Sequence, residues 1–592
     1  MRSVGTEPVH CGVGATVARG WRISPPKTLS GLASGMFLLL VAACGHPEQA
    51  APSGPSAEPA AIAKAAGDEQ HGPPGTLLPS SLEVVVTGPS GEPVQGADVS
   101  FTATGGTVVP ARGPTDRDGR RSARLLLPDG EGPVEVTAST GTLPSVRFTA
   151  EAVRGKPNPY TYPLHISGRY LVDDDGRPVI LIGDSPWSLV VQLDSAEVKT
   201  YLTTRVSQGV NAILFNGIEH LFADDAPRTA YGRPPFRDTL ASGSADFTTL
   251  DDGYWSWVEW VVGQARDRGI TCLIAPAYLG FHLGNQGWAT EVAANGPKRM
   301  AAYGDSLGRR FGSYGNVVWV MGGDSGPAFS GTDVTAEVNA LADGMASRMP
   351  DAIFSAHGSR YSSALDAYDQ SWLDINSTYS DPDRGPSQLE TDYGRTDGNG
   401  ASPMPSIWIE GFYENEHGTT PAELRSQMYW SLLSGDAGSF YGNHPVWPFG
   451  AAAASGFGDS SAPPYDTWPH AMETDVARDL IEVRHLVDRQ PMRLLVPDFG
   501  EDVVTGGRGS GATYAAAARA SDGSLIIAYL PDRREVTVDM SAITTDTVAT
   551  ASWLDPRTGS ETRIGRFPTE GHRGFMPPSD ADWILVVEDL PD

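Results

Sequence analysis

The sequence predicts a multidomain chain built around a (β/α)8 TIM barrel, with a β-sandwich before it and an antiparallel β-sandwich after it. Three observations lead there. The chain has 592 residues, too many for one hydrophobic core and enough for about three or four domains. Between residues 155 and 485, apolar runs of strand length alternate with amphipathic helical stretches, the pattern of parallel strands joined by helical crossovers. On either side the runs are shorter, alternate apolar with polar residues and are punctuated by Gly, Pro, Asp and Ser, as in antiparallel sandwiches.

Composition narrows the classes of partner. Basic residues number 43 and acidic residues 72, a net charge of −29, so a polyanion such as nucleic acid is excluded and adhesion to an anionic bilayer through basic patches is disfavoured. Hydrophobic residues make up 40% and aromatic residues 9%, with 14 Trp, enough for packed cores and suited to stacking on sugar rings. Cys11, Cys44 and Cys272 are the three cysteines and offer neither a zinc-ligand spacing nor a disulfide framework. Cys272, inside the apolar run "GITCLIAPAY", reads as a buried, inert thiol.

Residues 1–44 read as an export signal. "SGLASGMFLLLVAACG" follows Arg19, Arg22 and Lys27, and its apolar stretch is too short to span a bilayer. Val41-Ala42-Ala43-Cys44 resembles the bacterial lipobox, which implies lipidation at Cys44 and attachment to the cell envelope; an ordinary cleaved signal and secretion is the alternative. Residues 45–77 are rich in Pro, Ala, Gly and charge without apolar periodicity and read as an extended tether.

The segment 78–153 carries short alternating strands, with Gly91-Glu92-Pro93-Val94, Gly96-Ala97, Val99-Ser100-Phe101 and Thr115-Asp116 preceding Gly119. It resembles a bacterial Ig-like domain of the invasin type. No titratable groups converge in it, so a spacer or adhesive role is expected.

In the central region eight runs have strand character: 179–185, 210–219, 270–278, 317–325, 352–358, 373–381, 406–414 and 438–444. They end in Asp184, Asn216 with Glu219, Tyr278, Asp324, His357, Tyr379 with Asp381, Glu410 with Tyr413, and His444. In a barrel such ends converge on one face, where function sits. A doubly wound sheet would carry a glycine-rich phosphate loop after its first strand, and the turn here reads "GDSPWS".

The stretch "GGDSGP" at 322–327 resembles the nucleophile loop of chymotrypsin-like proteases. That reading is weak, because the loop caps a strand between helical segments and lacks the second glycine of the protease motif. "GDSPW" also lacks the Gly-x-Ser-x-Gly spacing of a nucleophile elbow. What remains is a face of carboxylates and aromatics without a His or Cys cluster for a catalytic metal, so no cofactor is expected. Two carboxyls flanking one bond are the apparatus of glycoside hydrolysis. Asp324 and Glu410 each end a strongly apolar run, the fourth and the seventh, beside a glycine that admits a ligand.

"PVILIGDSPWSLVVQLDSAEVKTYLTTRVSQGVNAILFN", "DDGYWSWVEWVVGQARDRGI", "YGNVVWVMGGDS" and "SIWIEGFYEN" closely resemble the apiosidase-like glycoside hydrolases, family 140. The resemblance implies a (β/α)8 catalytic domain over most of 157–485 with a retaining mechanism. It further implies Asp324 as acid/base, Glu410 as nucleophile, and Asp184 and Trp187 as residues shaping the substrate pocket. On that reading Glu410 stays ionised through hydrogen bonds from Tyr379 or a nearby His. Asp324 keeps its proton near neutral pH through apolar surroundings and the charge of Glu410. The two carboxyls are then expected about 5 to 5.5 Å apart. Asn216 and Tyr278 complete the lining; His220, His282, His357 and His444 are candidate hydroxyl contacts, and Trp288, Tyr413 and Trp447 candidate sugar platforms.

After the barrel, 486–592 return to short strands and resemble the β domain that follows apiosidase-like barrels, sometimes labelled collagen-binding. The "SWLDPRTG" stretch is accounted for as a turn, and packing against the barrel is the expected role. The function read from the sequence is retaining hydrolysis of a glycosidic bond in a plant or microbial polysaccharide side chain, with a polysaccharide or oligosaccharide as substrate. The alternative is a non-catalytic carbohydrate-binding or adhesive surface lipoprotein.

Overall fold

The computed structural model describes residues 58–588, apart from 69, 73–77, 79–80, 129, 131, 153–159, 397–402, 452–466 and 546. The segment expected to be an export signal and Cys44, the expected lipid acceptor, lie outside the described residues.

The N-terminal region forms two sheets. One holds strands 61–66, 82–87, 120–126 and 107–109, the other 70–72, 146–152, 132–140, 98–103 and 112–114. Alternation builds their shared core: Leu82, Val84 and Val86 turn inward from one strand, and Val134, Val136 and Phe148 meet them. The tether expected over 45–77 ends earlier than the sequence implied. Ala61–Ala66 pairs antiparallel with Leu82–Thr87. Ile62 is the only buried residue of that edge strand, so backbone pairing rather than apolar periodicity holds it, and alanine-rich composition conceals it.

Eight parallel strands form the barrel: β1 (Leu181–Asp184), β2 (Ala212–Asn216), β3 (Thr271–Ala275), β4 (Val317–Gly322), β5 (Ile353–His357), β6 (Asn376–Tyr379), β7 (Ser406–Glu410) and β8 (Gly438–Tyr441). β1 pairs with β8 along its length, and a single bridge between Ser355 and Ile375 links β5 to β6. Leu181, Leu214, Leu273, Val318, Val320, Ile375, Ile407 and Phe440 fill the interior. Residues of opposite parity, such as Ile182, Phe215, Cys272, Trp319 and Phe354, pack outward under the helices. A small antiparallel meander, 165–167, 170–172 and 178–179, precedes β1 and adds Leu171 and Val179 to the interior cluster.

Apart from short helical turns at Leu189–Gln192 and Trp468–Ala471, the α-helices among the described residues are α1 (Ser195–Ser207), α2 (Asp252–Arg266), α3 (Ala289–Phe311), α4 (Thr335–Ala346), α5 (Ala364–Ala367), α6 (Gly385–Tyr393), α7 (Pro421–Leu433) and α8 (Asp475–Arg489). Local sequence fixes where two of them start. Asp194 and Glu197 form a capping box on α1, and Thr420 with Glu423 another on α7, followed by Pro421 at its first position.

The C-terminal domain begins at Leu495, with α8 running to Arg489, a few residues beyond the boundary expected at 485. It comprises a six-stranded sheet, 495–497, 516–520, 525–530, 583–588, 548–554 and 561–568, and a three-stranded sheet, 504–506, 536–539 and 572–575. One face of the larger sheet, including Ala518, Ile527, Tyr529 and Ile584, shares the barrel's outer core with Leu424 and Met428 of α7. Arg425 of α7 is buried and binds Asp582 through Nε (2.7 Å) and Nη2 (2.8 Å) and Asp479 through Nη1 (2.7 Å). Trp430 Nε1 donates to the Tyr514 carbonyl at 2.8 Å.

Candidate active site

β4 leaves the barrel through Gly322, Gly323 and Asp324, which have φ of 83°, 123° and 54°. Three consecutive positive φ values reverse the chain within one turn, a conformation glycine adopts freely and an aspartate only at a cost of about 1–3 kcal/mol. A Cβ on Gly323 would overlap the Tyr278 ring. That close approach brings Tyr278 Oη to 3.5 Å from Asp324 Oδ2. Among the described residues the buried Oδ1 of Asp324 has no protein hydrogen-bond partner, which leaves it for a ligand.

Glu410 reaches the same space by a register slip. Ile407 faces the barrel interior and Trp408 the outside, so strict alternation would turn Glu410 outward with Trp408. The pairing of β6 with β7 instead passes from Thr378↔Trp408 to Tyr379↔Glu410. This bulge re-aims the carboxylate inward, as bulges beside active sites do. Just beyond it, a Cβ on Gly411 would run into the Gln427 side chain of α7, whose Oε1 accepts the Phe412 amide at 2.7 Å.

His357, the buried last residue of β5, ties the two acids together. Its Nδ1 accepts the Asp324 backbone N–H at 2.8 Å, and its Nε2 lies 2.5 Å from Glu410 Oε2. An acceptor at Nδ1 assigns the ring proton to Nε2, which then donates to Glu410. Burial lowers the basicity of this ring, while the hydrogen bond to Glu410 and the charges of Glu410 and Asp324 outweigh it and raise its pKa. Asp324 is pushed up to about 7, first by burial and then by the charge of Glu410, against the opposing charges of His357 and Arg360. One acid is therefore set to hold a proton near neutrality.

Aromatic rings form the floor. Trp187 Nε1 donates to Tyr413 Oη at 2.7 Å, and the Trp187 ring lies 5.7 Å from His357 and 5.9 Å from Tyr278. Tyr379 packs 5.3 Å from His357. Asp324, Glu410, His357, Tyr278, Tyr379, Tyr413 and Trp187 thus converge as the sequence implied, and His357 supplies the hydrogen bond expected from Tyr379 or a nearby His.

Of the other sequence-derived candidates, Asn216 and Trp447 adjoin these rings, whereas Asp184 does not. Asp184 is not in the pocket: parity turns it outward from β1, where it accepts from Tyr201 Oη and Arg205 Nε of α1, both at 2.6 Å, and is 1% exposed. Asn216 is buried beside Glu219, whose carboxyl burial raises to about 7. Trp447 packs in the same interior cluster as Trp187, Tyr278 and Tyr413, whereas Trp288 belongs to the outer core. Trp447 donates Nε1 to Glu416 at 2.8 Å, and Trp288 packs against Phe236 and Phe247. His220 lies 3.4 Å from Glu291, and His444 3.3 Å from Glu416. His282 is on the rim, stacked between Phe281 and Phe329. Ser325 is buried, and its Oγ contacts no base, which removes the protease reading.

Arg360 is the functional candidate that sequence reasoning missed. Its guanidinium lies over Phe412 at 4.8 Å and Tyr379 at 5.8 Å, its buried Nε has no protein partner, and its charge acts on Asp324. The available signal was its position three residues beyond His357, in a loop leaving the face where strand ends converge.

A family model described as apiosidase-like, catalytic domain, matches residues 165–493. A second, described as "Putative collagen-binding domain of a collagenase", matches residues 496–588. Two solved structures share the fold. One, a glycoside hydrolase, is 21% identical, with 74% of this chain and 99% of that one covered and a TM-score of 0.61. The other, a glycoside hydrolase family 5 protein from Bacteroides vulgatus, is 22% identical, with 72% and 93% covered and a TM-score of 0.61. None of the curated protein sequences matches the chain.

Proposed function

The chain belongs to the apiosidase-like family and is a glycoside hydrolase, and from that premise we propose a retaining mechanism in which Asp324 is the acid/base and Glu410 the nucleophile. Asp324 donates its proton to the glycosidic oxygen as Glu410 Oε1 attacks the anomeric carbon. The leaving group departs as an alcohol, and the sugar remains esterified to Glu410. Asp324, now ionised, takes a proton from water, which attacks the same carbon and releases Glu410. His357 donates to Glu410 Oε2, keeping that oxygen occupied and directing the other toward the sugar.

The observation that carries this reading is the single imidazole spanning the Asp324 amide and the Glu410 carboxylate. It fixes both acids relative to one another at the mouth of the barrel. The elevated pKa of Asp324 supports its acid role, since a carboxyl at its ordinary value would hold no proton at neutral pH. The substrate class we propose is a sugar, apiosyl by analogy with the family, on a side chain of plant or microbial polysaccharide. Placement within family 140 belongs to the same proposal.

Screening nitrophenyl glycosides and pectic oligosaccharides against the wild type and Glu410→Gln tests it. The expected result is turnover of at least one substrate by the wild type and a loss of about 1,000-fold or more in the variant, the scale of a lost nucleophile. Equal turnover by both proteins contradicts the assignment.

A further inference from the structure

The rim of the barrel carries a feature that the two-acid mechanism does not use. Phe281, His282 and Phe329 form a three-ring stack, with centroid separations of 3.9 Å and 4.2 Å and interplanar angles of 24° and 9°. Phe281 and Phe329 are 46% and 43% exposed. Isolated exposed apolar residues are ordinary on a protein surface, but parallel rings held face to face are a built feature. His282, Leu283 and Ser330 all adopt left-handed backbone conformations, with φ of 54°, 56° and 51°. Phe329 is carried on a two-stranded hairpin, Ala328–Phe329 with Thr332–Asp333.

We propose that this stack is a leaving-group subsite, which packs against the apolar face of a sugar ring in the polymer from which the scissile residue is cut. The inference rests on the glycosidase reading above. Its position carries it. Phe281 follows Tyr278 by three residues and Phe329 follows Asp324 by five, so both loops rise from the side of the barrel that holds the proton donor. Five residues of chain reach at most about 17 Å. Glu410 enters from β7, three strands further round the ring. A general acid protonates the departing oxygen and so stands on the leaving-group side of the bond. Open ring faces beside it therefore meet the departing portion of the substrate. The floor aromatics Trp187, Tyr278 and Tyr413 are 5–8% exposed and suit the single sugar held against Glu410. Phe281 and Phe329 are the more exposed of these rings, and a sugar's C–H face stacks on an exposed aromatic ring.

Full-length protein run through native gels cast with pectin, arabinoxylan or galactomannan tests the proposal, with a gel lacking polysaccharide as reference. The wild type is expected to be retarded in at least one gel. Phe329→Ala and Phe281→Ala, on separate loops so that one misfolded variant does not decide the matter, are each expected to weaken that affinity about five- to tenfold, the scale of one lost ring contact. Phe329→Trp is expected to keep it. Absence of retardation in all three gels overturns the proposal, as does equal retardation of the wild type and both alanine variants. A wild-type dimer in sedimentation that Phe329→Ala dissociates also overturns it, by assigning the stack to a second copy of the chain. Turnover of nitrophenyl glycosides and its loss in Glu410→Gln report separately on the glycosidase reading, because those substrates have no sugar beyond the scissile bond.

Discussion

At the scale of single residues, burial and the charge of Glu410 push the pKa of Asp324 up, and the charges of His357 and Arg360 oppose them. His357 fills one oxygen of Glu410 and the amide of Asp324, while Arg360 places a positive charge near Asp324 and opposes the burial that holds its proton. With Asp324 at about 7, a general acid is lost as pH rises through neutrality, so kcat/KM should fall above about pH 7. Arg360→Gln removes a charge that favours the ionised acid. The pKa of Asp324 should then rise and the alkaline limb of the pH–rate profile should move to higher pH. A limb that stays in place, or moves down, contradicts the electrostatic role assigned to Arg360. Asp324 and Glu410 were legible because each ends a long apolar run beside glycine. Asp184 was misplaced because it ends a run too, and only the parity of β1 shows that it faces α1. Arg360 was illegible because nothing in a loop sequence tells a solvated arginine from one held over rings.

At the scale of elements, the catalytic face depends on two departures from regular strand geometry. One is the left-handed Gly322-Gly323-Asp324 turn and the other the bulge that brings Glu410 inward. Gly323→Ala forces a Cβ into the Tyr278 ring at a φ of 123°. We expect a cost of about 1–3 kcal/mol in urea unfolding together with a fall in turnover, whereas unchanged stability and activity would mean that the turn is not constrained as described. All eight strands were legible from apolar runs bounded by polar ends. The bulge was not, since alternation assigns Glu410 to the wrong side and only pairing with β6 corrects it. The edge strand Ala61–Ala66 was hidden for the opposite reason, having pairing without pattern.

At the scale of the whole molecule, the C-terminal domain is mounted on the barrel through α7, the helix that follows β7. Arg425 joins it to Asp582, Tyr429 stacks on Tyr529 at 4.9 Å, and Gln427 of the same helix holds the loop after Glu410. Truncation after residue 493 would expose Tyr429 and Trp430 and take Asp582, one of its two carboxylate partners, from the buried Arg425. The shortened protein should accumulate as aggregate, and a soluble barrel with full activity would show that the sheet is dispensable. The order of the β and α/β regions was legible from changes in apolar period, but this docking was not, because it depends on which face of a sheet meets which helix. Export and anchoring through Cys44 remain our proposal from the leader sequence. Cys44→Ser should shift the protein from the membrane fraction to the soluble one, and an unchanged distribution would remove the lipid anchor.

The most direct measurement is to trap the covalent intermediate. An activated 2-fluoro glycoside of whichever sugar the substrate screen identifies is incubated with the wild-type protein, and the labelled peptide is mapped by mass spectrometry. One sugar per chain, attached to Glu410, is the expected result. Attachment to another carboxylate, or rapid turnover to product of inverted configuration with no adduct, would contradict it.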